Sequence, residues 1–169
     1  NKFWRVIASP ASTKGIVALS YARGQTTGGI RVGGKGDITK NAWVWKREGI
    51  GADAVSPVAD QGSGTFIVVN DSGKPRGLVS CLDAVNGKTI WEEQLPRAAQ
   101  KFYASPLLAG NKLYLARVDG VVYCGNVEGK GLTGLTENKL EDNIYASPVA
   151  IGSHLFIRGR RNLYCFGEK

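Results

Sequence analysis

The apolar positions of this chain come in short runs, each cut off by Gly, Asn, Asp, Ser or Pro. Such runs are found at residues 16–21, 65–70, 112–117 and His154–Arg158. Within them apolar and polar residues tend to alternate, as in Lys-Leu-Tyr-Leu-Ala-Arg at 112–117, which is the period of a half-buried strand. No stretch carries a convincing 3.6-residue apolar period, so the fold class predicted is all-β.

A Ser-Pro pair divides the chain into copies of one unit. It recurs at Ser9-Pro10, Ser56-Pro57, Ser105-Pro106 and Ser147-Pro148, with 47, 49 and 42 residues between successive prolines. Three copies read Ala-Ser-Pro, and the last two extend to Tyr-Ala-Ser-Pro. The third copy predicts strands at 103–109, 112–117, 121–127 and 132–136. Gly110-Asn111 makes its first turn and Asp119-Gly120 its second. The fourth copy predicts strands at 144–151, His154–Arg158 and 162–166, with no fourth strand. In the first two copies, 16–21 and 65–70 are second strands, and Val44-Trp45 and Ile90-Trp91 fall in fourth strands. A strand-built repeat of this length is the propeller blade. Four consecutive four-stranded blades are expected, at about 5–50, 51–97, 98–142 and 143–169, the last lacking its outer strand. Trp45 and Trp91 follow their prolines by 35 and 34 residues, and Leu135 takes the corresponding place 29 after Pro106. A bulky residue there would plug the gap to the neighbouring blade.

The segment 82–91, Leu-Asp-Ala-Val-Asn-Gly-Lys-Thr-Ile-Trp, resembles the tryptophan-docking motif of pyrroloquinoline-quinone-like propeller repeats. Trp45, Trp91 and Gly87 are its expected docking residues, with Asn86-Gly87 as a type I′ turn pair. The Ala-Ser-Pro starts, and the endings Val-Ser-Cys-Leu-Asp and Leu-Tyr-Cys-Phe-Gly, are similar to the C-terminal blades of secreted bacterial members. The resemblance covers essentially the whole chain and implies a periplasmic or extracellular setting. It also implies a seven- or eight-bladed ring, of which four blades are about half. Such an arc would expose two apolar flanks. Homodimerisation or pairing with a missing N-terminal half would cover them, and a closed four-bladed ring is the tighter alternative.

Composition adds little to this picture. Methionine is absent, even at position 1, which implies a processed or excised form with any targeting segment upstream. No apolar run is long enough to span a membrane. The net charge is +8, and the densest basic group is Arg158, Arg160 and Arg161. Nothing else expected of a nucleic-acid binder accompanies it, so no nucleic-acid partner is expected.

Candidate chemistry is sparse. Cys81, Cys124 and Cys165 occupy equivalent third-strand positions, a blade width apart and so beyond disulfide reach. They are expected to be buried small hydrophobes. With no Cys-x-x-Cys and a single histidine, His154, expected at the surface, no metal site is expected. The Gly-rich run 29–36 approaches a phosphate loop, but Gly36 stands where Ser or Thr is needed and a strand follows instead of a helix. It is better read as a long hairpin. Asp71-Ser72-Gly73 superficially matches an aspartic-protease signature, yet the repeat places it in a turn. A quinoprotein dehydrogenase would need acidic calcium ligands and often a vicinal cysteine pair. No residue here matches them, and no cofactor is expected.

Ligands of propellers gather at the loops that lead into the innermost strands. Counting back from each proline, Arg5, Asp53, Lys101, Tyr103, Asn143 and Tyr145 would ring the channel mouth. The tyrosines could instead pack the blade junctions. A polar and aromatic rim suits a protein or carbohydrate ligand. The function expected is therefore a non-catalytic binding scaffold. The alternative is a fragment of a quinoprotein-type oxidoreductase whose catalytic residues lie in other blades.

Overall fold

Each Ser-Pro unit folds into its own antiparallel sheet. The computed structural model describes residues 7–21, 25–71 and 74–167, and the described elements are all strands. The first sheet runs β1 (Ala11–Thr13), β2 (Ile16–Ser20), β3 (Thr26–Arg31), β4 (Trp43–Glu48). The second holds β5 (Val58–Asp60), β6 (Thr65–Val69), β7 (Leu78–Asp83) and β8 (Thr89–Gln94). The third comprises β9 (Leu107–Ala109), β10 (Lys112–Ala116), β11 (Val121–Glu128) and β12 (Gly131–Lys139). The fourth has β13 (Val149–Ile151), β14 (His154–Arg158) and β15 (Leu163–Phe166). In every sheet the strands lie in sequence order, which is the blade arrangement. The Gly-rich run 29–36 ends β3 and enters the β3–β4 hairpin, as the repeat requires.

First strands are shorter than the sequence predicts. They begin only after the proline, because Pro has no N–H to give a ladder. Upstream of it the chain pairs through the single bridges Phe102↔Arg117 and Ile144↔Gly159. The 83–88 turn also departs from expectation. A type I′ turn needs positive φ at both central residues, but only Gly87 has it, at 69°. Asp83 instead accepts N–H bonds from Val85 and Asn86 at 2.9 Å, and Asn86 from Lys88 at 2.8 Å. The side chains thus close a longer turn.

The core lies between sheets, in three layers. Ile16, Ala18, Trp45, Phe66, Val68 and Leu82 fill the first junction; Ile67, Cys81, Trp91, Leu113, Leu115 and Tyr123 fill the second. Ala104, Ala116, Val122, Ile144 and Ile157 form a smaller third. The second blade is covered on both faces, which is why β6 reads Thr-Phe-Ile-Val-Val without alternation and is wholly buried. Among the described residues, the outward faces of the first and fourth blades carry exposed apolar side chains. On the fourth blade's far face Ile151 and Leu163 are 64% and 62% exposed, beside half-exposed Val149. On the first blade's far face Val17, Ile30 and Trp43 are aligned, with Trp43 exposed.

This geometry corrects the reading of the cysteines. All three point toward the following blade. Cys81 is buried there by the third blade, Cys124 is only half covered by the fourth, and Cys165 is exposed. All three are free thiols. His154 is exposed, as its place after a turn predicts.

Candidate binding face at the inner loops

Two features fix the loops that enter the inner strands. The first is a ladder of serines. The backbone N–H of Ser9 donates to Ser56 Oγ (2.9 Å), that of Ser56 to Ser105 Oγ (3.0 Å), and that of Ser105 to Ser147 Oγ (2.9 Å). The first three Ser-Pro serines are thus each stitched to the next blade, and the missing proline N–H beside them is not needed. The second is a set of buried carboxylates. Asp71, in the β6–β7 connection, accepts N–H bonds from Asp53, Ala54 and Val55 at 2.7 to 3.3 Å. Asn70 adds a bond from Gly51 N–H and one to Gly49 O. Asp71, which the repeat assigns to a turn and not to a protease signature, thus uses its carboxylate to clamp the entering loop.

In the fourth blade the clamp is reversed. Asp142, on the entering loop, accepts N–H bonds from Arg161 and Asn162 of the β14–β15 turn at 2.9 and 3.0 Å, and from Asn143 at 2.9 Å. Burial pushes its carboxyl up, but these N–H donations outweigh it and hold the group below its ordinary value. The third blade uses a charge pair. Arg117, buried, grips Asp119 with two bonds at 2.8 and 3.1 Å and donates to the Tyr123 hydroxyl at 2.7 Å. Those guanidinium bonds hold the Asp119 carboxyl below its ordinary value. None of these clamps is legible in the sequence beyond the presence of Asp next to turn residues.

Because successive strands run antiparallel, the entering loops and the second hairpins share one face. The described rim candidates lie on these loops. Arg5 lies outside the described residues. Asp53 is half-buried, with its N–H on Asp71. Lys101 has an exposed side chain, and its carbonyl accepts the Val118 N–H at 3.0 Å. Asn143 sends its side-chain N–H to Val118 O at 2.9 Å, so it also pins the preceding blade's hairpin. Tyr103 and Tyr145 come together, their ring centroids 5.9 Å apart and tilted by 33°, and they are 44% and 53% exposed. The tyrosines thus contact one another at the surface and are not packed away. Phe102 and Ile144, one residue earlier, are the ones buried in the junctions.

Trp45, Trp91 and Gly87 lie at the junctions between blades. Trp45 Nε1–H donates to Ala84 O at 2.9 Å, and its indole lies against Phe66, centroids 6.3 Å apart. A Cβ at Gly87 would fall 2.5 Å from the Trp45 ring. Trp91 is buried in the next junction. Leu135, however, is not the third plug. A bulge precedes each plug position, and the residue facing Gly29, Cys81 and Cys124 across it is Trp45, Trp91 and Thr136 in turn. Leu135 points the other way, into the second junction.

No family model matches the chain, and no curated protein matches it. Solved structures do. BamB from Moraxella catarrhalis superposes with a TM-score of 0.67 at 16% identity, over 96% of this chain and 46% of that one. The computationally designed Ika4 protein gives 0.70 at 11%, over 99% of this chain and 94% of its own. The quinohemoprotein alcohol dehydrogenase ADHIIG from Pseudomonas putida HK5 gives 0.63 at 10%, over 90% and 28%. The fold is that of consecutive β-propeller blades. The chain spans about half the length of BamB. The described residues offer no donor set for the metal that the fold type suggests. No three His, Cys, Asp or Glu side chains come together among the described residues, and the buried carboxylates of Asp71 and Asp142 are taken up by backbone N–H groups.

Proposed function

We propose that this propeller segment is a non-catalytic binding scaffold of an extracytoplasmic protein, taking a polypeptide ligand across its inner-loop face. The observation that carries this reading is the exposed Tyr103–Tyr145 pair, set on loops that the serine ladder and the aspartate clamps hold rigid. Rigid aromatic anchors with a polar surround give contact area at little entropic cost. Lys101 and Asn143 supply that surround, and Asp53 extends it to the second blade. The open flanks are the second part of the proposal: further blades cover them, from a second copy or from the rest of a larger ring.

The test is selection from a displayed peptide library, alongside an oligosaccharide array. A selected peptide is expected to lose about thirtyfold in affinity with Tyr103→Ala or Tyr145→Ala, the loss typical of an anchor residue. Unchanged affinity in both variants, or hits only on the sugar array, would sink the polypeptide reading. Assay with added quinone, calcium and an electron-accepting dye is expected to give no alcohol oxidation, and turnover would favour the oxidoreductase alternative.

A further inference from the structure

The first and second junctions are each sealed by an indole, and the third is not. Trp45 and Trp91 occupy the same position in their blades, across the bulge from Gly29 and Cys81. At that position the third blade has Thr136, exposed, facing Cys124. A cavity of about 400 Å³ opens there, between Tyr114, Val122, Cys124 and Thr136 of the third blade and Leu155, Ile157 and Phe166 of the fourth. By strand register Leu155 and Phe166 correspond to Phe66 and Leu82, the residues that receive the Trp45 ring in the first junction. The walls of an indole seat are therefore present while the indole is not. The volume falls within the range of small-molecule sites. Thr136 and Asn138 stand at its edge, where they could meet the one polar atom of such a ring.

We propose that this junction is a binding site for a planar bicyclic aromatic ring of indole class, occupying the place that Trp45 and Trp91 fill elsewhere. The ring would be free in solution or carried as a tryptophan side chain on a partner. Cys124, in the cavity wall and half exposed, reports occupancy directly, while exposed Cys165, outside the cavity, serves as the internal reference.

The experiment follows iodoacetamide labelling of each cysteine by mass spectrometry while indole, or a short tryptophan-containing peptide with its alanine counterpart, is titrated in. At a ligand concentration three times the dissociation constant, Cys124 labelling should slow about fourfold, with Cys165 unaffected. Protection by indole assigns the site to a free ring, and protection by the tryptophan peptide alone assigns it to a ring borne on a polypeptide. No protection by either overturns the proposal. Thr136→Trp, which supplies the ring in cis, is expected to slow Cys124 labelling without ligand and to raise Tm. Since the wild-type titration does not depend on that variant, a misfolded Thr136→Trp leaves the test intact.

Discussion

Single side chains decide whether two blades meet. Trp45 combines packing against Phe66 with a hydrogen bond to Ala84 O, so its two contributions are separable. Trp45→Ala should lower stability by about 3–5 kcal/mol, as for other large core truncations. Trp45→Phe, which keeps most of the packing but not the N–H donation, should cost clearly less. Gly87→Ala should also destabilise, since it puts a Cβ into the Trp45 ring at a positive φ. Urea unfolding of the three variants checks the ranking, and a loss below 1 kcal/mol for Trp45→Ala would refute the plug role. The tryptophans were readable from their spacing. Thr136 was not, because counting from Pro106 lands on Leu135, and only the bulge before the plug position shows the one-residue offset. Cys165 departs from the sequence expectation for a related reason: its strand position matches that of Cys81, but burial depends on the neighbouring blade and not on the strand itself.

Within each blade the strands were legible and the clamps between them were not. The alternation at 112–117 and the turn at Asp119-Gly120 need only local sequence. By contrast, apart from neighbouring Asn143, the partners of Asp71 and Asp142 lie some sixteen to twenty residues away, on loops with no pattern of their own. The Arg117–Asp119 pair allows a test with a definite sign. The Asp119 carboxyl is held below its ordinary value of 3.8 by the bonds from Arg117. Its contribution to stability is therefore fully present above that value and is lost as pH falls through the lower value of the folded state. Asp119→Asn should flatten the acid limb of a stability–pH curve below about pH 4 while changing its neutral side in the same direction as any lost ion pair. A curve parallel to wild type through that range would refute the linkage. The serine ladder makes a second prediction. Ser56→Ala removes the acceptor of the Ser9 N–H, and Ser105→Ala that of Ser56. Each should cost about 1 kcal/mol and speed hydrogen exchange at the stripped amide specifically.

At the scale of the molecule the open flanks dominate. Ile151, Leu163 and Val149 form an apolar strip on the last blade, and Trp43 stands exposed on the first. In the interior junctions the equivalent faces are buried, and contiguous apolar surface of this kind favours association. If a second copy covers them, light scattering on a size-exclusion column should give twice the 18.1 kDa chain mass, with Cys165 protected from alkylation. Leu163→Lys should return the chain to a monomer with Cys165 reactive. A wild-type monomer with reactive Cys165 at all concentrations would exclude self-pairing and leave the flanks to other blades.

The sequence by itself determined the all-β class, the four Ser-Pro units and the strand-rich centre of each blade. These follow from local signals: alternation, turn residues, and one repeating distance. Only the tertiary structure decided that Tyr103 and Tyr145 meet at the surface, that serines stitch blade to blade, and that Thr136 leaves the third junction open. Contacts between blades join residues some twenty to fifty positions apart, and their register is set by bulges and by what the neighbouring sheet covers. Neither quantity is written in any single stretch of chain.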